Sequence, residues 1–359
     1  MAAVVPIPRH PADVTAGWLS AVLGTAVHEV DVTPIGTGQT GATYRVSATY
    51  ATNQSALPDT FALKLSAQDD AVRERVALGY RSEVEFYTDV ADRVAIPVPG
   101  CFHSDISDDG TDFALLLADM APAVQGDQIA GCSEQEARLA VEALAGLHGP
   151  SWCDPQWLGL SSIAMPKPGD EAAAKGLGDV AVMAANITID KLGARMSAQD
   201  KETLTAAMGL VTPWLLAEPG RFALMHGDYR LDNMLFDPDR TRITVVDWQT
   251  MGVGLPARDL AYFTATSLAP ELRSVIEEDL VDRYHRALLG FGVTDYGADV
   301  CWRDYRLGVL QAPLITTLGF AFAASTERGD EMVLTMLSRG CRAIRDLGTL
   351  ELISGYQST

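Results

Sequence analysis

The chain has 359 residues, of which 48% are hydrophobic and 21% are charged, and its formal net charge is −20. This length suffices for two domains, and the composition is ordinary for a packed globular protein. The negative charge argues against nucleic acid and anionic membranes as partners, because both bind clustered lysine and arginine. The cysteines are odd in number and stand singly, so neither a disulfide framework nor a zinc site is expected.

No segment combines the length and hydrophobicity of a signal peptide or a membrane span. Residues 1–11 lack an apolar run of signal-peptide length, and the longest apolar stretch, residues 312–324, contains Thr316 and Thr317. We therefore expect a cytoplasmic protein without a membrane partner. The sequence leaves its oligomeric state open.

The first predicted elements are a short helix over residues 11–29 and two strands on either side of a glycine-rich turn. The turn contains Gly36, Gly38 and Gly41 and matches G-x-G-x-x-G, which by itself is a weak signal. Residues that favour strands follow the last glycine, whereas a dinucleotide-binding motif would continue into a helix. This context favours a hairpin that covers nucleotide phosphates, and an ordinary glycine-rich hairpin is the alternative.

A lysine interrupts the short apolar strand that follows this hairpin. Lys64 is costly to bury unless a carboxylate or a phosphate pairs with it. A helix predicted over residues 80–94 offers a partner, because Glu83 shares its apolar face with Phe86 whereas Glu85 lies on the opposite face. We predict an ion pair between Lys64 and Glu83 that positions the lysine for phosphate. An unrelated buried pair or an exposed Glu83 is the alternative.

An apolar strand then leads into the polar segment Asp119–Met120. A connection between two lobes is expected here, with backbone groups to which an adenine ring can hydrogen-bond. We therefore place the domain boundary at this point. Residues 1–118 would form a nucleotide-binding N-lobe, and residues 119–359 would form a C-lobe with the catalytic loop, the metal site and the acceptor-binding helices.

Most of the C-lobe is predicted to be helical. Ser133 and Glu136 form a capping box at the start of one helix. His148 closes that helix, and a histidine in this position is more often structural than catalytic. Asp259 stands at the start of another helix and is predicted to cap it. Further helices are predicted over residues 270–290, 298–324 and 330–347.

The strongest chemical signal lies in the middle of the C-lobe. Asp228 precedes a predicted hairpin with strands at residues 234–236 and 243–246, Asn233 stands at its entrance, and Asp247 stands at its exit. Oxygen-bearing side chains suit a hard cation such as Mg²⁺ and leave one aspartate to handle a hydroxyl proton. Together with the glycine-rich hairpin, the strand lysine and the helix glutamate, they follow the order in which a chain builds an ATP–Mg²⁺ site.

On these motifs the chain resembles the aminoglycoside phosphotransferase, choline kinase and ecdysteroid-kinase-like group of small-molecule kinases. The resemblance runs from about Ile35 to Phe263 and is strongest in His226-Gly227-Asp228 with Asn233 and in Val246-Asp247-Trp248. It implies an α+β, protein-kinase-like bilobal fold, with an antiparallel sheet and one key helix in the N-lobe and a mainly helical C-lobe.

The resemblance also implies roles for individual residues. Asp228 would be the catalytic base, Asn233 and Asp247 would hold Mg²⁺, and His226 would be a structural member of the catalytic loop. Lys64 would contact the α- and β-phosphates of ATP while paired with Glu83. The other expected nucleotide-binding residues are Gly36, Gly38, Gly41, Asp119 and Met120.

The expected function is ATP- and Mg²⁺-dependent transfer of the γ-phosphoryl group to a hydroxyl of a small molecule. Trp248-Gln249 replaces the Phe-Gly of protein kinases, which favours the small-molecule branch, and the sequence contains no P-loop. The apolar run at residues 314–324 favours an apolar or mixed hydroxylated metabolite as acceptor, unless this run is simply core. The alternatives are a kinase for aminoglycosides or other antibiotics and a catalytically inactive nucleotide-binding protein of the same fold.

Overall fold

The computed structural model describes residues 5–35, 41–50, 56–322 and 326–357. These residues form two compact units. The first unit comprises the described parts of Met1–Arg93, Val98–Pro122 and Val246–Gln249, and the second comprises those of Val94–Pro97, Ala123–Val245 and Thr250–Thr359. The predicted division into lobes between residues 118 and 119 stays a prediction.

The first unit is built on an antiparallel five-stranded sheet. Its helices and strands are α1 (Ala16–Leu23), β1 (Val27–Pro34), β2 (Gly41–Tyr50), β3 (Thr60–Ser66), α2 (Asp70–Glu85), β4 (Cys101–Ile106) and β5 (Phe113–Ala118). The strand order is β1-β2-β3-β5-β4, so β3 lies at the centre of the sheet. Leu63 and Leu65 of β3 are fully buried in a core that includes Trp18 of α1. Because side chains alternate along a strand, Lys64 lies on the opposite face.

Helix α2 begins earlier than the sequence pattern predicts. The prediction was a helix over residues 80–94, but α2 starts after Asp69, whose carboxylate caps the amides of Ala71 and Val72. The helix then continues as a π-helical turn, Phe86–Val90. Its first turns are rich in charged residues, but apolar side chains still recur every four residues from Val72, a helical signal that the prediction did not use. The predicted inward position of Glu83 is confirmed, because this side chain is fully buried.

The first helix is shorter than predicted. Residues 11–29 were expected to be helical, but α1 ends at Leu23 and β1 begins at Val27. Gly24 adopts a left-handed conformation with φ 64°, which terminates the helix. The chain therefore turns into the sheet sooner than the apolar pattern suggests.

The second unit is mainly helical. Its strands are β6 (Val124–Gln125), β7 (Ala223–Met225), β8 (Met234–Phe236), β9 (Ile243–Val245) and β10 (Gly252–Gly254). Its helices are α3 (Glu134–Ser151), α4 (Glu171–Leu192), α5 (Ala198–Met208), α6 (Val211–Leu216), α7 (Ala257–Ser267), α8 (Pro270–Gly290), α9 (Ala298–Gly308), α10 (Gln311–Phe322), α11 (Glu327–Leu347) and α12 (Thr349–Ser354). The pairing of β8 with β9 confirms the predicted hairpin, and the capping box of Ser133 and Glu136 is present.

The predicted helix over residues 298–324 is wrong, because this segment forms the two helices α9 and α10. Pro313 lies near the start of α10 and has no amide proton to donate to the carbonyl of Val309, so one continuous helix is unfavourable. Leu314, Thr317 and Phe320 are buried whereas Phe322 is 48% exposed, so only part of the described apolar run is core. No helix within the described ranges has the length and hydropathy needed to cross a membrane.

Candidate active site

In the first unit, Lys64 is held between two carboxylates. Its Nζ atom lies 2.6 and 2.7 Å from the two carboxylate oxygens of Glu83 and 3.2 Å from Oδ1 of Asp247. Burial disfavours the ammonium ion, but the charges of Asp247 and Glu83 outweigh this effect and raise the pKa of Lys64 above its ordinary value. Lys64 is therefore a permanent cation, and its predicted contact with Glu83 is present.

Asp247 has an unusual backbone conformation just after strand β9. Its φ is 71°, in the left-handed region that residues other than glycine rarely occupy. Such a conformation costs on the order of 1–3 kcal/mol and persists only where the surroundings hold it. The Asp247 side chain remains 36% exposed, so its carboxylate can meet a ligand from solvent while it contacts Lys64.

The two residues that follow Asp247 are fastened to helix α2. The Trp248 ring stacks on that of Phe86, with the ring centroids 3.6 Å apart and an angle of 3° between the planes. The Ser82 hydroxyl donates to the carbonyl of Trp248 at 3.0 Å. Glu83 accepts hydrogen bonds from the Trp248 amide at 3.4 Å and from Nε2 of Gln249 at 3.3 Å. These contacts fix the backbone on one side of Asp247.

In the second unit, Asp228 lies in the loop between β7 and β8 and is bound on both carboxylate oxygens. The Nε atom of Arg230 lies 3.0 and 2.9 Å from the two oxygens. The Tyr262 hydroxyl donates to Oδ1 at 2.7 Å, and Nδ2 of Asn233 donates to Oδ2 at 3.0 Å. Each oxygen thus has two partners, which hold the carboxylate in one orientation. Sequence reasoning missed Arg230 and Tyr262, although Arg230 stands only two positions after the predicted base.

The structure defines which atom of Asn233 can face a cation. Its Nδ2 donates to the main-chain carbonyl of Asp228 at 2.8 Å as well as to the Asp228 carboxylate. Both acceptors require the amide nitrogen on that side, so this orientation follows from the hydrogen bonds. Oδ1 is therefore the atom that Asn233 would present to a hard cation.

A buried aspartate anchors the loop that carries Asp228. The Asp259 carboxylate accepts the main-chain amides of His226 at 2.6 Å and Gly227 at 3.1 Å. The predicted role of Asp259 as a helix cap is wrong, because α7 begins at Ala257 without a side-chain cap and Asp259 lies inside its first turn. All residues of α7 are buried, and a buried carboxylate such as that of Asp259 requires hydrogen-bond donors.

Gly227 has to be a glycine in this loop. Its φ is 83°, and a Cβ atom there would lie 2.2 Å from the carbonyl oxygen of Thr250. The adjacent His226 ring is fully buried, and its Nδ1 accepts the amide of Asp228 at 3.3 Å. The loop backbone is thus fixed on both sides of the predicted base.

His148 extends the support of this loop into the core. Its Nε2 lies 3.5 Å from Oδ2 of Asp259, and its Nδ1 lies 2.7 Å from the Tyr284 hydroxyl. Burial lowers the pKa of His148 below its ordinary value, although Asp259 opposes this effect. His148 therefore lies behind the loop as a neutral packing residue.

The remaining predicted nucleotide-binding residues belong to the glycine-rich turn and to the segment after β5. Gly36 and Gly38 lie outside the described residues. Gly41 starts β2, where a Cβ atom would lie 3.1 Å from the carbonyl oxygen of Leu65. The Asp119 carboxylate accepts from Nε of Arg45 in β2 at 2.6 Å, which ties this segment to the sheet. The roles of these residues and of Met120 in nucleotide binding stay predictions.

The chain is similar in sequence to a known enzyme family. The sequence model of the phosphotransferase enzyme family, APH, matches residues 31–297. Among curated proteins, acyl-CoA dehydrogenase family member 11 of Gallus gallus is 28% identical over 208 residues, which is 52% of this chain and 22% of that protein. The chain thus spans less than a quarter of the length of this relative.

Two solved structures show the same fold. A putative aminoglycoside phosphotransferase from Ralstonia eutropha JMP134 aligns with a TM-score of 0.53 and 17% identity, over 92% of this chain and 97% of its own. Choline kinase from Cryptosporidium parvum Iowa II aligns with a TM-score of 0.55 and 11% identity, over 91% of this chain and 93% of its own. These alignments confirm the predicted α+β, protein-kinase-like fold.

Proposed function

Since the chain belongs to the phosphotransferase enzyme family, we propose that it is a small-molecule kinase that uses ATP and Mg²⁺. The observation that carries this proposal is the contact of Lys64 with both Glu83 and Asp247. It combines a permanent cation, suited to phosphate, with a partly exposed carboxylate, suited to a metal ion. The phosphates of Mg²⁺-ATP thus have a cationic partner in Lys64, and its metal ion has a carboxylate partner in Asp247.

Each residue has a defined part in this proposal. Lys64 contacts the α- and β-phosphates, and Glu83 keeps the ammonium in place. The Asp247 carboxylate and Oδ1 of Asn233 would serve as protein ligands of Mg²⁺, because a hard cation prefers oxygen ligands. When bound, the metal neutralises charge on the phosphates during transfer.

Asp228 accepts the proton of the acceptor hydroxyl in this proposal. The acceptor oxygen forms a bond to the γ-phosphorus as the bond between the β-phosphate oxygen and the γ-phosphorus breaks, and ADP leaves with the bonding pair. Arg230, Tyr262 and Asn233 hold the Asp228 carboxylate in one orientation. Such chemistry depends on positioning and charge neutralisation rather than on a covalent intermediate.

The charges near Asp228 favour a hydroxylated metabolite over a polycationic aminoglycoside. Asp228 is paired with Arg230, and Asp232 is contacted by Nη1 of Arg230 at 2.9 Å and by Nη1 of Arg328 at 3.5 Å. An acceptor with several ammonium groups would need carboxylates that lack such guanidinium partners. The buried residues of the apolar run in α10 belong to the core, so only its exposed positions, such as Phe322, bear on an apolar acceptor.

A compound panel tests the proposed function. The purified protein is supplied with Mg²⁺-ATP and with hydroxylated metabolites, aminoglycosides or no acceptor, and ADP and phosphorylated product are measured. We expect ADP and product to rise with a metabolite, and the Asp228→Asn variant to lose turnover while it still binds Mg²⁺-ATP. A wild-type protein that binds Mg²⁺-ATP but forms no ADP with any compound would be the inactive nucleotide-binding alternative, and product from aminoglycosides alone would favour an antibiotic kinase.

A further inference from the structure

The Glu83 carboxylate does more than pair with Lys64. Its Oε1 accepts from Lys64 and from the amide of Trp248, and its Oε2 accepts from Lys64 and from Nε2 of Gln249. The side chain is fully buried, so water cannot replace a lost donor. One carboxylate therefore fixes both the cation and the segment that bears Asp247.

Gln249 also lies directly against helix α2. A Cβ atom built on Gly79 would lie 3.2 Å from Cβ of Gln249, 3.3 Å from its Oε1 and 3.5 Å from its main-chain oxygen. The glycine on this turn of α2 therefore gives the Gln249 side chain and backbone the room they occupy. Gly79 and Glu83 are one helical turn apart, so the same face of α2 contacts Gln249 twice.

From these contacts we propose that Gln249 is a positioning residue that controls the binding of Mg²⁺-ATP through Asp247. The proposal rests on the proposed function and deepens it. The hydrogen bond from Gln249 to Glu83 holds the chain two residues beyond Asp247, and the contacts of Trp248 hold the residue between them. Together they hold Asp247 at its left-handed φ of 71°, which local preference alone would not maintain.

A residue without a side-chain donor at position 249 leaves this arrangement incomplete. Oε2 of Glu83 then keeps Lys64 as its hydrogen-bond donor, and the segment after Asp247 loses the hydrogen bond that Gln249 makes to α2. Asp247 relaxes towards an ordinary backbone conformation and no longer presents its carboxylate in a fixed place. The loss therefore appears in the metal-dependent part of nucleotide binding.

Two variants disturb the contact between Gln249 and helix α2, one at Gln249 and one at Gly79 of the helix. Gln249→Met keeps the length of the side chain but removes the amide donor. Gly79→Ala adds a methyl group that displaces Gln249, although alanine is a better helix former than glycine. Gln135→Met is the matched control, because Gln135 is an exposed residue of α3 whose side-chain amide donates to the carbonyl of Arg240.

The measurement is the affinity for ATP by titration, with Mg²⁺ and with EDTA, alongside thermal unfolding of each variant. We expect Gln249→Met and Gly79→Ala each to weaken ATP binding in Mg²⁺ by about tenfold, the equivalent of one lost hydrogen bond to a charged group. Affinity in EDTA should stay within about twofold of the wild type, and both variants should remain folded at the temperature of the titration.

The outcomes separate this inference from the proposed function. Wild-type protein that binds ATP with Mg²⁺ and variants that bind it equally well would overturn the role of Gln249 alone. Equal losses in Mg²⁺ and in EDTA would also overturn it, since they would indicate general damage to the unit. Absence of Mg²⁺-dependent ATP binding by the wild-type protein would overturn both proposals.

Discussion

The guanidinium of Arg230 and the carboxylate of Asp228 form a two-contact ion pair, with Nε 3.0 and 2.9 Å from the two oxygens. Nη1 of the same guanidinium contacts Asp232 at 2.9 Å, and lysine cannot reproduce this bridge between two carboxylates, because its charge is a single point on a flexible stem. We expect Arg230→Lys to lower the turnover of Mg²⁺-ATP by about tenfold or more and to leave ATP affinity unchanged. The matched control is Arg242→Lys, because Arg242 is an exposed residue paired with Asp237.

Initial rates of ADP formation at saturating Mg²⁺-ATP, together with ATP titrations, check this expectation. Turnover within about twofold of the wild type would show that Asp228 keeps its orientation without Arg230. A loss of ATP affinity in place of turnover would assign Arg230 to nucleotide binding.

Removing the charge of Glu83 should destabilise the first unit. In Glu83→Gln the Lys64 ammonium keeps an amide oxygen as acceptor but loses the closer of its two counter-charges, and breaking a buried pair costs on the order of 3 kcal/mol. In the double variant Lys64→Met with Glu83→Gln, the unpaired cation is gone and part of the stability should return. Urea unfolding of the wild type, both single variants and the double variant measures the coupling. Additive effects would mean that the pair contributes little to stability.

Asp259 should matter for turnover although it lies behind the loop. In Asp259→Asn one carboxylate oxygen becomes an NH₂ group that faces a main-chain N–H, so His226 or Gly227 loses its acceptor. We expect a loss of about 2 kcal/mol in unfolding free energy and a larger proportional loss of turnover than of ATP affinity. Chemical denaturation and steady-state kinetics test both parts, and wild-type turnover in a folded variant would contradict the anchoring role.

His148 should make stability depend on pH in the weakly acidic range. Burial holds its pKa below the ordinary value of 6.5, so the unfolded chain takes up a proton first as the pH falls through this value. Its contribution to stability is therefore complete above this pH and declines below it. His148→Gln removes the titrating group, so its unfolding temperature should fall less than that of the wild type between about pH 7.5 and about pH 5.5.

The control for this experiment is His28→Gln, because His28 is exposed. It should show the same pH dependence as the wild type. If His148→Gln and the wild type lose stability in parallel, the buried imidazole does not control the acid response.

The parts of the site that could be predicted from the sequence have local signals. A short apolar run placed Lys64 in a strand, and helical spacing placed Glu83 on the inward face of its helix. Asp228, Asn233 and Asp247 stand at fixed distances from a hairpin that turn residues specify. The order of these motifs along the chain then indicated the fold class.

The parts that could not be predicted depend on contacts between distant segments. Asp259 looked like a cap because its partners, the amides of the loop before β8, lie far away in the sequence. Gln249 has no pattern that links it to Gly79 of α2.

The stacked rings of Phe86 and Trp248 constrain how this chain can change over evolutionary time. The two rings lie nearly parallel, and both side chains are fully buried. A smaller residue at either position would leave a cavity beside the segment that bears Asp247, which costs several kcal/mol for an aromatic side chain. Drift at either position is therefore expected to be compensated at the other, so that the two positions covary in an alignment of relatives.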